Sequence, residues 1–417
     1  MDARTIVDYA KSLDCVHCGL CLNTCPTYRL TGREAASPRG RIHLMRSLAE
    51  GEIEADADFV EEMEFCLLCR HCESVCPSGV KFGAMMEHTR AGLAPLQRFS
   101  WRERVARRIG FDLLLRDRGA LALVAGLARR FARSRLPSQS ERVYLPTLTP
   151  AEGRRGPSVL LLEGCVMPEI LGQVNRATAA VLARAGCEVR ALPQLFCCGS
   201  LHAHNGEASG ARALARAAIE AWESLDGEPL ALVSNSAGCG AHLKELAQLF
   251  EPGDPWQARA SALAARTLDL SQLLAREPQR ARLAARMRPS DALAALSPIA
   301  WDDPCHLCHG QGVRQEPRAL LALLPGVVRV ELDGSEDCCG SAGSWSLTHA
   351  ADARNLIERR IAALRASGAR TLVTSNPGCQ LQWDAGVRAA GLAVRVLHLA
   401  EVLELATSPA AGTAPAP

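Results

Sequence analysis

Two cysteine runs of identical spacing constrain this chain more than any other feature of its sequence. Residues 15–26 and residues 66–77 both read Cys-x2-Cys-x2-Cys-x3-Cys-Pro. In this spacing three thiolates on one tight loop bind a [4Fe–4S] cluster, and the fourth ligates the other cluster of a pair. The runs therefore predict two cross-ligated clusters. We also expect the fourth cysteine of each run to begin the following helix.

Cross-ligation divides the eight cysteines of these runs between two predicted clusters. Cluster 1 is assigned to Cys15, Cys18, Cys21 and Cys76, and cluster 2 to Cys66, Cys69, Cys72 and Cys25. Tetrahedral zinc is the alternative, since it also takes four thiolates. Two complete runs, each followed by proline, favour iron and sulfide over zinc, whose cysteines usually come as separated pairs.

Composition bears on the environment of the cysteines. The chain has 18 cysteines in 417 residues and no apolar amino-terminal segment of the secretory type, so metal ligation is favoured over disulfides in a reducing cytoplasm. The sequence contains no apolar run of about 18 residues, the length that would predict a membrane span. A net charge of +2 gives no argument for a nucleic-acid partner.

From about residue 156 the sequence is duplicated, with a repeat of about 140 residues. Equivalent cysteines mark the two copies: Cys165, Cys197, Cys198 and Cys239 in the first, and Cys305, Cys338, Cys339 and Cys379 in the second. Strand-like and helical segments alternate in each copy, which predicts a largely parallel sheet covered by helices. The cysteines follow strands, where α/β folds place their sites.

The alternation predicts particular elements. In the first copy these are strands at 159–162, 189–192 and 230–233 and helices at 175–185 and 211–222; in the second, strands at 299–301, 327–332 and 371–374 and helices at 318–324 and 351–366. The fold class is α+β/α, a helical two-cluster domain followed by the duplicated α/β domain. Its predicted parts are residues 1–90, a connector at 91–155, the copies at 156–295 and 296–406, and a disordered tail at 407–417.

Arginine-rich helices are predicted at 101–109 and 112–135 of the connector, with apolar residues at helical spacing. Such a stretch suits an anionic membrane surface, a partner subunit or an ordinary solvated helix face. A further helix is predicted at 42–50, with Ser37 as its cap and Pro38 in its first turn. Arg39 and Arg41 at its start either lie near the clusters or are solvated.

The order of these parts resembles the iron–sulfur subunit family of glycolate oxidase (glycolate dehydrogenase). The resemblance covers nearly the whole chain and is specific at Ser-Pro-Arg-Gly-Arg-Ile (37–42), Asp-Pro-Cys-His-Leu (303–307) and Thr-Ser-Asn-Pro-Gly-Cys-Gln-Leu (374–381). Lactate-utilisation proteins, the cysteine-rich subunit of anaerobic glycerol-3-phosphate dehydrogenase and heterodisulfide reductase share the layout, and their cysteine-rich repeats are called CCG domains.

The resemblance implies an electron-transfer subunit of an oxidoreductase complex. In such complexes a separate flavin subunit oxidises glycolate to glyoxylate, and a quinone or another carrier accepts the electrons. The chain would sit in the cytoplasm, with possible peripheral contact with the inner face of the cell membrane. It has no Gly-x-Gly-x-x-Gly after a strand, and we assign it no catalytic residue. The alternatives are a subunit for lactate or glycerol-3-phosphate oxidation and a thiol–disulfide catalyst.

In heterodisulfide reductase a full CCG repeat ends in Cys-x2-Cys, and both copies here depart from that pattern. Each copy offers four cysteines, enough for one cluster, with His242 as a possible nitrogen ligand; alternatively one or both copies are empty. Cys187 is interpreted as structural and Cys308 as a spare ligand. His306 and His309 could hydrogen-bond a cluster sulfur or take protons near an acceptor.

Overall fold

The computed structural model describes residues 3–97, 99–131, 137, 140–153, 156–227 and 229–408. It confirms the predicted fold class, since a helical amino-terminal region precedes two sheets built mainly from parallel strands. Residues 409–417 of the predicted tail and residues 132–135 of the predicted connector helix lie outside the described ranges. The predicted domain boundaries remain predictions.

The amino-terminal region consists of short helices packed around one hydrophobic core that includes Met45, Met63 and Met86. Its longest helix begins as predicted, because the Ser37 hydroxyl accepts the Gly40 N–H at 3.0 Å and Pro38 occupies the first turn. The helices are α1 (Tyr9–Ser12), α2 (Pro26–Thr31), α3 (Pro38–Glu50), α4 (Ala57–Glu64), α5 (His71–Ser74) and α6 (Phe82–Leu93).

The connector is helical, as its periodicity predicts, but it has a break. Helix α7 (Trp101–Arg107) continues as a π-helix over Arg108–Leu114, and α8 (Arg118–Phe131) begins after Asp117, whose carboxylate accepts the Ala120 N–H. The break predicted between residues 109 and 112 is therefore wrong in position, because the capping preference of Asp117 starts the second helix at Arg118.

The first copy forms a five-stranded sheet in the order β1-β3-β2-β4-β5, with only the edge strand β1 antiparallel. Its strands are β1 (Leu148–Thr149), β2 (Ser158–Leu162), β3 (Glu188–Arg190), β4 (Leu232–Ser234) and β5 (Thr267–Asp269). Its helices are α9 (Met167–Ile170), α10 (Gly172–Arg184), α11 (Ser200–His204), α12 (Ala208–Glu223), α13 (Ala237–Lys244), α14 (Pro255–Ala265), α15 (Leu270–Leu274), α16 (Gln279–Ala284) and α17 (Asp291–Ala294).

The second copy forms a four-stranded, wholly parallel sheet in the order β7-β6-β8-β9. Its strands are β6 (Ile299–Trp301), β7 (Arg329–Val330), β8 (Thr371–Thr374) and β9 (Arg395–His398). Its helices are α18 (Gln315–Leu321), α19 (Trp345–Thr348), α20 (Ala350–Ser367), α21 (Pro377–Ala389) and α22 (Leu399–Thr407). The strand predicted at 327–332 is only two residues long, because it lies at the sheet edge and pairs on one side alone.

The two copies share a hydrophobic core. Apolar residues of both sheets and of the helices between them form one buried cluster. Helix α22 of the second copy packs against α10 of the first, and α15, the equivalent helix of the first copy, packs against α18 of the second. Each copy therefore covers part of the other, which holds their cysteine loops at a constant relative position.

Candidate iron–sulfur sites

Both cysteine runs adopt the same strained loop. The second residue after the first cysteine, His17 or Leu68, and the fourth, Gly19 or Arg70, all have left-handed φ angles between 55° and 83°. Such angles are uncommon outside glycine and persist where surrounding structure maintains them. Repetition of this strain at equivalent positions indicates that both loops are shaped to wrap one kind of group.

The four cysteines assigned to cluster 2 lie together. Cys25 joins Cys66, Cys69 and Cys72 around one small cavity, although it belongs to the other run in sequence. Burial raises the pKa of the Cys25 thiol, and it raises that of Cys72 well above the usual value. Thiolates in this setting need nearby positive charge, which the irons of a cluster would supply, so the residues fit the group.

The first run lies at the surface of the amino-terminal region. Cys18 is exposed, whereas Cys15 packs against the hydrophobic core on which Cys76 also packs. Arg39, at the start of α3, donates a hydrogen bond to the His17 carbonyl at 3.2 Å. Arg41 is fully buried and donates to the Ala36 carbonyl at 2.7 Å. Arg39 thus contacts the loop of the first run and Arg41 lines the cavity of the cluster 2 cysteines, so neither is merely solvated.

The fourth cysteines differ in their local structure. Cys25 immediately precedes α2, as predicted. The prediction is wrong for Cys76, because Pro77 is followed by a turn in which Gly79 has a φ of 67°, and the next helix begins only at Phe82.

Each CCG copy brings its four cysteines into contact. In the first copy the Cys165 thiol is hydrogen-bonded with Cys197, which is hydrogen-bonded with Cys198, and Cys198 with Cys239. The second copy has the same arrangement: Cys305 with Cys338, Cys338 with Cys339, and Cys339 with Cys379. The predicted sets are thereby assembled within each copy.

The hydrogen bonds within each set divide its thiols into donors and acceptors. Hydrogen bonds from Cys165 and Cys198 hold the pKa of Cys197 well below its usual value. Hydrogen bonding to Cys197 and burial raise the pKa of Cys165. Four buried thiolates side by side would repel one another, so full ionisation of the set requires a cation. This donor chemistry fits a metal cluster in either copy.

The glycine after each cysteine pair permits the loop geometry. Gly199 and Gly340 have φ angles of 91° and 85°, and a Cβ on Gly340 would lie 3.0 Å from the Ala353 carbonyl oxygen. The loop before Cys305 is held by Asp303, whose carboxylate accepts hydrogen bonds from Trp301 Nε1 at 2.8 Å and from Ser335 Oγ at 2.7 Å. These contacts hold the loop of Cys338 against that of Cys305.

The second cysteine run lies between the two copies. The Cys69 thiol is hydrogen-bonded with Cys338 of the second copy. The Arg70 guanidinium reaches Glu245 of the first copy at 2.6 and 2.7 Å, and the His71 ring stacks on His309 with 4.0 Å between centroids. No sequence pattern indicates these contacts, because the partners are 175 or more positions apart.

Asn376 connects the two CCG sets, a role that the sequence analysis missed. Its Oδ1 accepts the Gly238 N–H at 3.1 Å, next to Cys239, and its Nδ2 donates to Cys379 Sγ at 3.4 Å. Each copy has an asparagine three or four residues before its last cysteine. This repeated position is the sequence signal that identifies Asn376 as a candidate.

The remaining sequence candidates have distinct environments. Cys187 is fully buried in the shared core, and the Cys308 thiol donates to the Asp303 carbonyl at 3.6 Å. His306 Nδ1 lies 3.9 Å from Cys305 Sγ. His309 bonds Ser74 Oγ at 2.9 Å and the Glu336 carbonyl at 3.0 Å, whereas His242 Nε2 has no hydrogen-bond partner among the described residues.

Comparison with known proteins agrees with these sites. Residues 11–80 match the 4Fe-4S dicluster domain family, and residues 159–244 and 299–384 each match the cysteine-rich domain family. The chain is 34% identical to the probable glycolate oxidase iron-sulfur subunit of Bacillus subtilis, over 95% of this chain and 94% of that protein. It is 33% identical to the glycolate oxidase iron-sulfur subunit of Escherichia coli, over 94% and 93%.

A shorter relative matches at lower identity. The lactate utilization protein A of Bacillus cytotoxicus is 27% identical, over 59% of this chain and 98% of that protein.

Fold, cysteine sites and family matches together define an iron–sulfur protein with a ferredoxin-type domain and duplicated cysteine-rich domains. The chain belongs to the family of glycolate oxidase iron–sulfur subunits. No helix in the described residues is long and apolar enough to cross a lipid bilayer.

Proposed function

We propose that this chain is the electron-transfer subunit of a complex that oxidises glycolate to glyoxylate. A separate flavin subunit would carry out the oxidation, and a quinone or another carrier would accept the electrons. Two [4Fe–4S] clusters on the predicted cysteine sets, and one further cluster in each CCG copy, would each transfer single electrons. The observation that carries this proposal is the packing of Cys69 and Cys338 in one buried cluster, which joins the ferredoxin-type cysteines to the CCG cysteines.

The exposure of the two runs supports a direction of transfer. The first run is at the surface, where Val16 is 69% and Leu20 60% exposed, with Leu13 beside them. The second run is enclosed by both CCG copies through Arg70 and His71. Exposed apolar side chains around a redox site suit a docking face for a partner protein. We therefore assign entry of electrons from the flavin subunit to the first run.

The function is tested by anaerobic purification followed by reduction with substrate. We expect iron and acid-labile sulfide in comparable amounts, and bleaching of the cluster absorption by glycolate only when the flavin subunits are added. Lactate and glycerol 3-phosphate are the comparison substrates. A preparation that contains zinc and lacks sulfide would contradict the proposal, as would faster reduction with lactate than with glycolate.

The same reduction assay tests the entry face. Val16→Glu places a charge on the apolar surface and should slow reduction by the flavin subunits while reduction by dithionite, a small reagent, stays unchanged. Leu347→Glu is the matched control, since Leu347 is 82% exposed but lies on α19, in the second CCG copy. Equal slowing by both variants would remove the entry face from the proposal.

The connector supports peripheral contact with a membrane. Three arginines fasten one side of it to the first CCG copy: Arg107 to Glu207 at 2.7 Å, Arg118 to Glu163 at 2.9 Å and Arg129 to the Glu169 carbonyl at 3.1 Å. Large apolar side chains are exposed along it: Trp101, Val105, Ile109, Leu113, Leu123, Val124, Leu127 and Phe131.

Within each helical segment those side chains recur mainly every four residues, which places them along one face of that segment. We call these two faces together the stripe. Exposed arginines accompany them: Arg102, Arg104, Arg108, Arg116 and Arg130. An ordinary solvated face does not expose so many large apolar groups, and this combination is that of a helix lying on anionic lipid. We assign the stripe to an anionic bilayer surface in preference to a partner subunit.

Vesicle sedimentation measures this contact. The chain should bind vesicles that contain phosphatidylglycerol and bind pure phosphatidylcholine much more weakly, because both charge and apolar burial contribute. Leu123→Glu should weaken binding about tenfold or more, since burial of a leucine contributes about 1.5–3 kcal/mol. Leu347→Glu is again the control. If Leu123→Glu weakens binding to the flavin subunits and leaves vesicle binding unchanged, the stripe belongs to the partner subunit instead.

A further inference from the structure

A cavity of about 140 Å³ lies between the amino-terminal region and the two CCG copies. Exposed side chains stand at its mouth, among them Lys11, His88 and Gln248, and buried ones such as Ala203 and His242 form its floor. An apolar cavity of about 150 Å³ accommodates a benzene ring. The volume therefore suits one six-membered ring, whose substituents would extend through the mouth toward solvent.

The floor presents two ring nitrogens without partners. His242 is 6% exposed, and its Nε2 is buried with no hydrogen-bond partner among the described residues. His306 Nε2 is likewise buried and unpartnered within the described part of the chain. Buried polar atoms are normally satisfied, so two unpartnered nitrogens on side chains that line one cavity suit a ligand that supplies polar partners.

Most of the charged groups that line the cavity are already paired. Arg70 bonds Glu73 at 2.9 Å and Glu245 at 2.6 Å, and Glu87 bonds His204 Nδ1 at 2.7 Å. Half-buried Arg212 also lines the cavity and has no ion pair within the described part of the chain. The lining therefore suits a ligand that offers hydrogen-bonding oxygens, since the Arg212 guanidinium can donate to such atoms.

Three cysteine sets border this cavity through their immediate neighbours. Leu68 and Arg70 come from the second run, Ala241 and His242 follow Cys239, and His306 follows Cys305. A molecule in the cavity is thus adjacent to the ferredoxin-type site and to both CCG sites. This position is suited to a molecule that exchanges electrons with them.

We propose that the cavity binds the ring of a quinone, with His242 and His306 hydrogen-bonded to its carbonyl oxygens. Reduction to the quinol adds two electrons and two protons, one proton to each carbonyl oxygen. The electrons come from the hydroxy acid oxidised at the flavin partner, so this step rests on the proposed function. The protons come from solvent, which reaches the cavity at its mouth.

Binding to the full, anaerobically purified chain tests the site without turnover. The probes are heptyl-hydroxyquinoline N-oxide, a fluorescent quinone analogue, and decylubiquinone as its competitor. Ala84→Phe and Ala208→Phe each place a ring in the cavity from half-buried positions, on α6 and α12. Each should raise the Kd of the probe at least about tenfold, because the ring no longer fits.

Ala217→Phe is the matched control, on the same helix as Ala208 but exposed to solvent, and it should leave the Kd unchanged. Iron and sulfide content and reduction by the flavin subunits are measured on every variant. Absence of probe binding to the original chain, or equal binding by all three variants, would overturn the cavity assignment while reduction by glycolate still supports the proposed function. A chain without iron and sulfide would instead refute the proposed function itself.

Discussion

Replacement of Cys25 by alanine is expected to remove the cluster of the second cysteine run and to leave that of the first. The reason is spatial: Cys25 lies in the cavity formed by Cys66, Cys69 and Cys72, far from them in sequence. Loss of one [4Fe–4S] cluster lowers iron by about four atoms per chain. Iron and sulfide analysis, with electron paramagnetic resonance of the reduced protein, measures the loss.

Cys76→Ala is the reciprocal variant, and it should remove the cluster of the first run while the second cluster remains. Cys187→Ala is the control, because Cys187 is buried in the shared core of the CCG copies and away from every cysteine set. If Cys25→Ala instead abolishes the first cluster, the runs are not cross-ligated and each binds its own cluster. The two variants together therefore decide the ligand assignment.

Arg90→Met should destabilise the protein much more than Arg33→Met does. The buried Arg90 guanidinium donates to the carbonyls of Met63 at 2.9 Å, Glu64 at 3.0 Å and Cys66 at 2.6 Å, and across to His204 at 2.8 Å. It thus supplies hydrogen-bond donors to the carbonyls at the end of α4, and it links the second run to the first CCG copy. Leaving buried carbonyls unpaired costs about 1–3 kcal/mol each.

We expect the free energy of unfolding to fall by at least about 3 kcal/mol, given several carbonyls left without donors. The urea concentration at which the cluster absorption disappears, measured without oxygen, reports the change. Arg33→Met is the control, since Arg33 pairs with Glu62 at 2.7 Å from a side chain that is 53% exposed, and such pairs contribute under about 1 kcal/mol. Equal urea sensitivity of both variants would show that water replaces the Arg90 contacts.

Local pattern was sufficient to predict the parts of this fold that depend on neighbouring residues. The strands at 299–301 and 371–374 and the cap at Ser37 agree with the structure, because alternation and capping operate over a few residues. The failures also have local causes. Cys76 begins no helix because Pro77 and Gly79 turn the chain, and Asp117 interrupts the connector by capping a second helix.

Long-range packing decided what the sequence could not. The contacts of Cys69 with Cys338, and of Asn376 with Gly238 and Cys379, depend on how the two copies and the amino-terminal region lie against one another. The same is true of the cavity, whose lining comes from the amino-terminal region and from both CCG copies. No pattern in sequence specifies such distances, because they follow from the sum of many weak interactions between surfaces.

The sequence by itself determined the kind of chemistry, through the spacing of cysteines, and the duplication, through their repetition. Spacing carries this information because a loop of fixed length can direct its thiols toward only a few geometries. Only the tertiary structure decided that one run is exposed and the other enclosed, and that residues next to three cysteine sets line one cavity. Those relations arise from the shared core, which holds the loops of distant segments together.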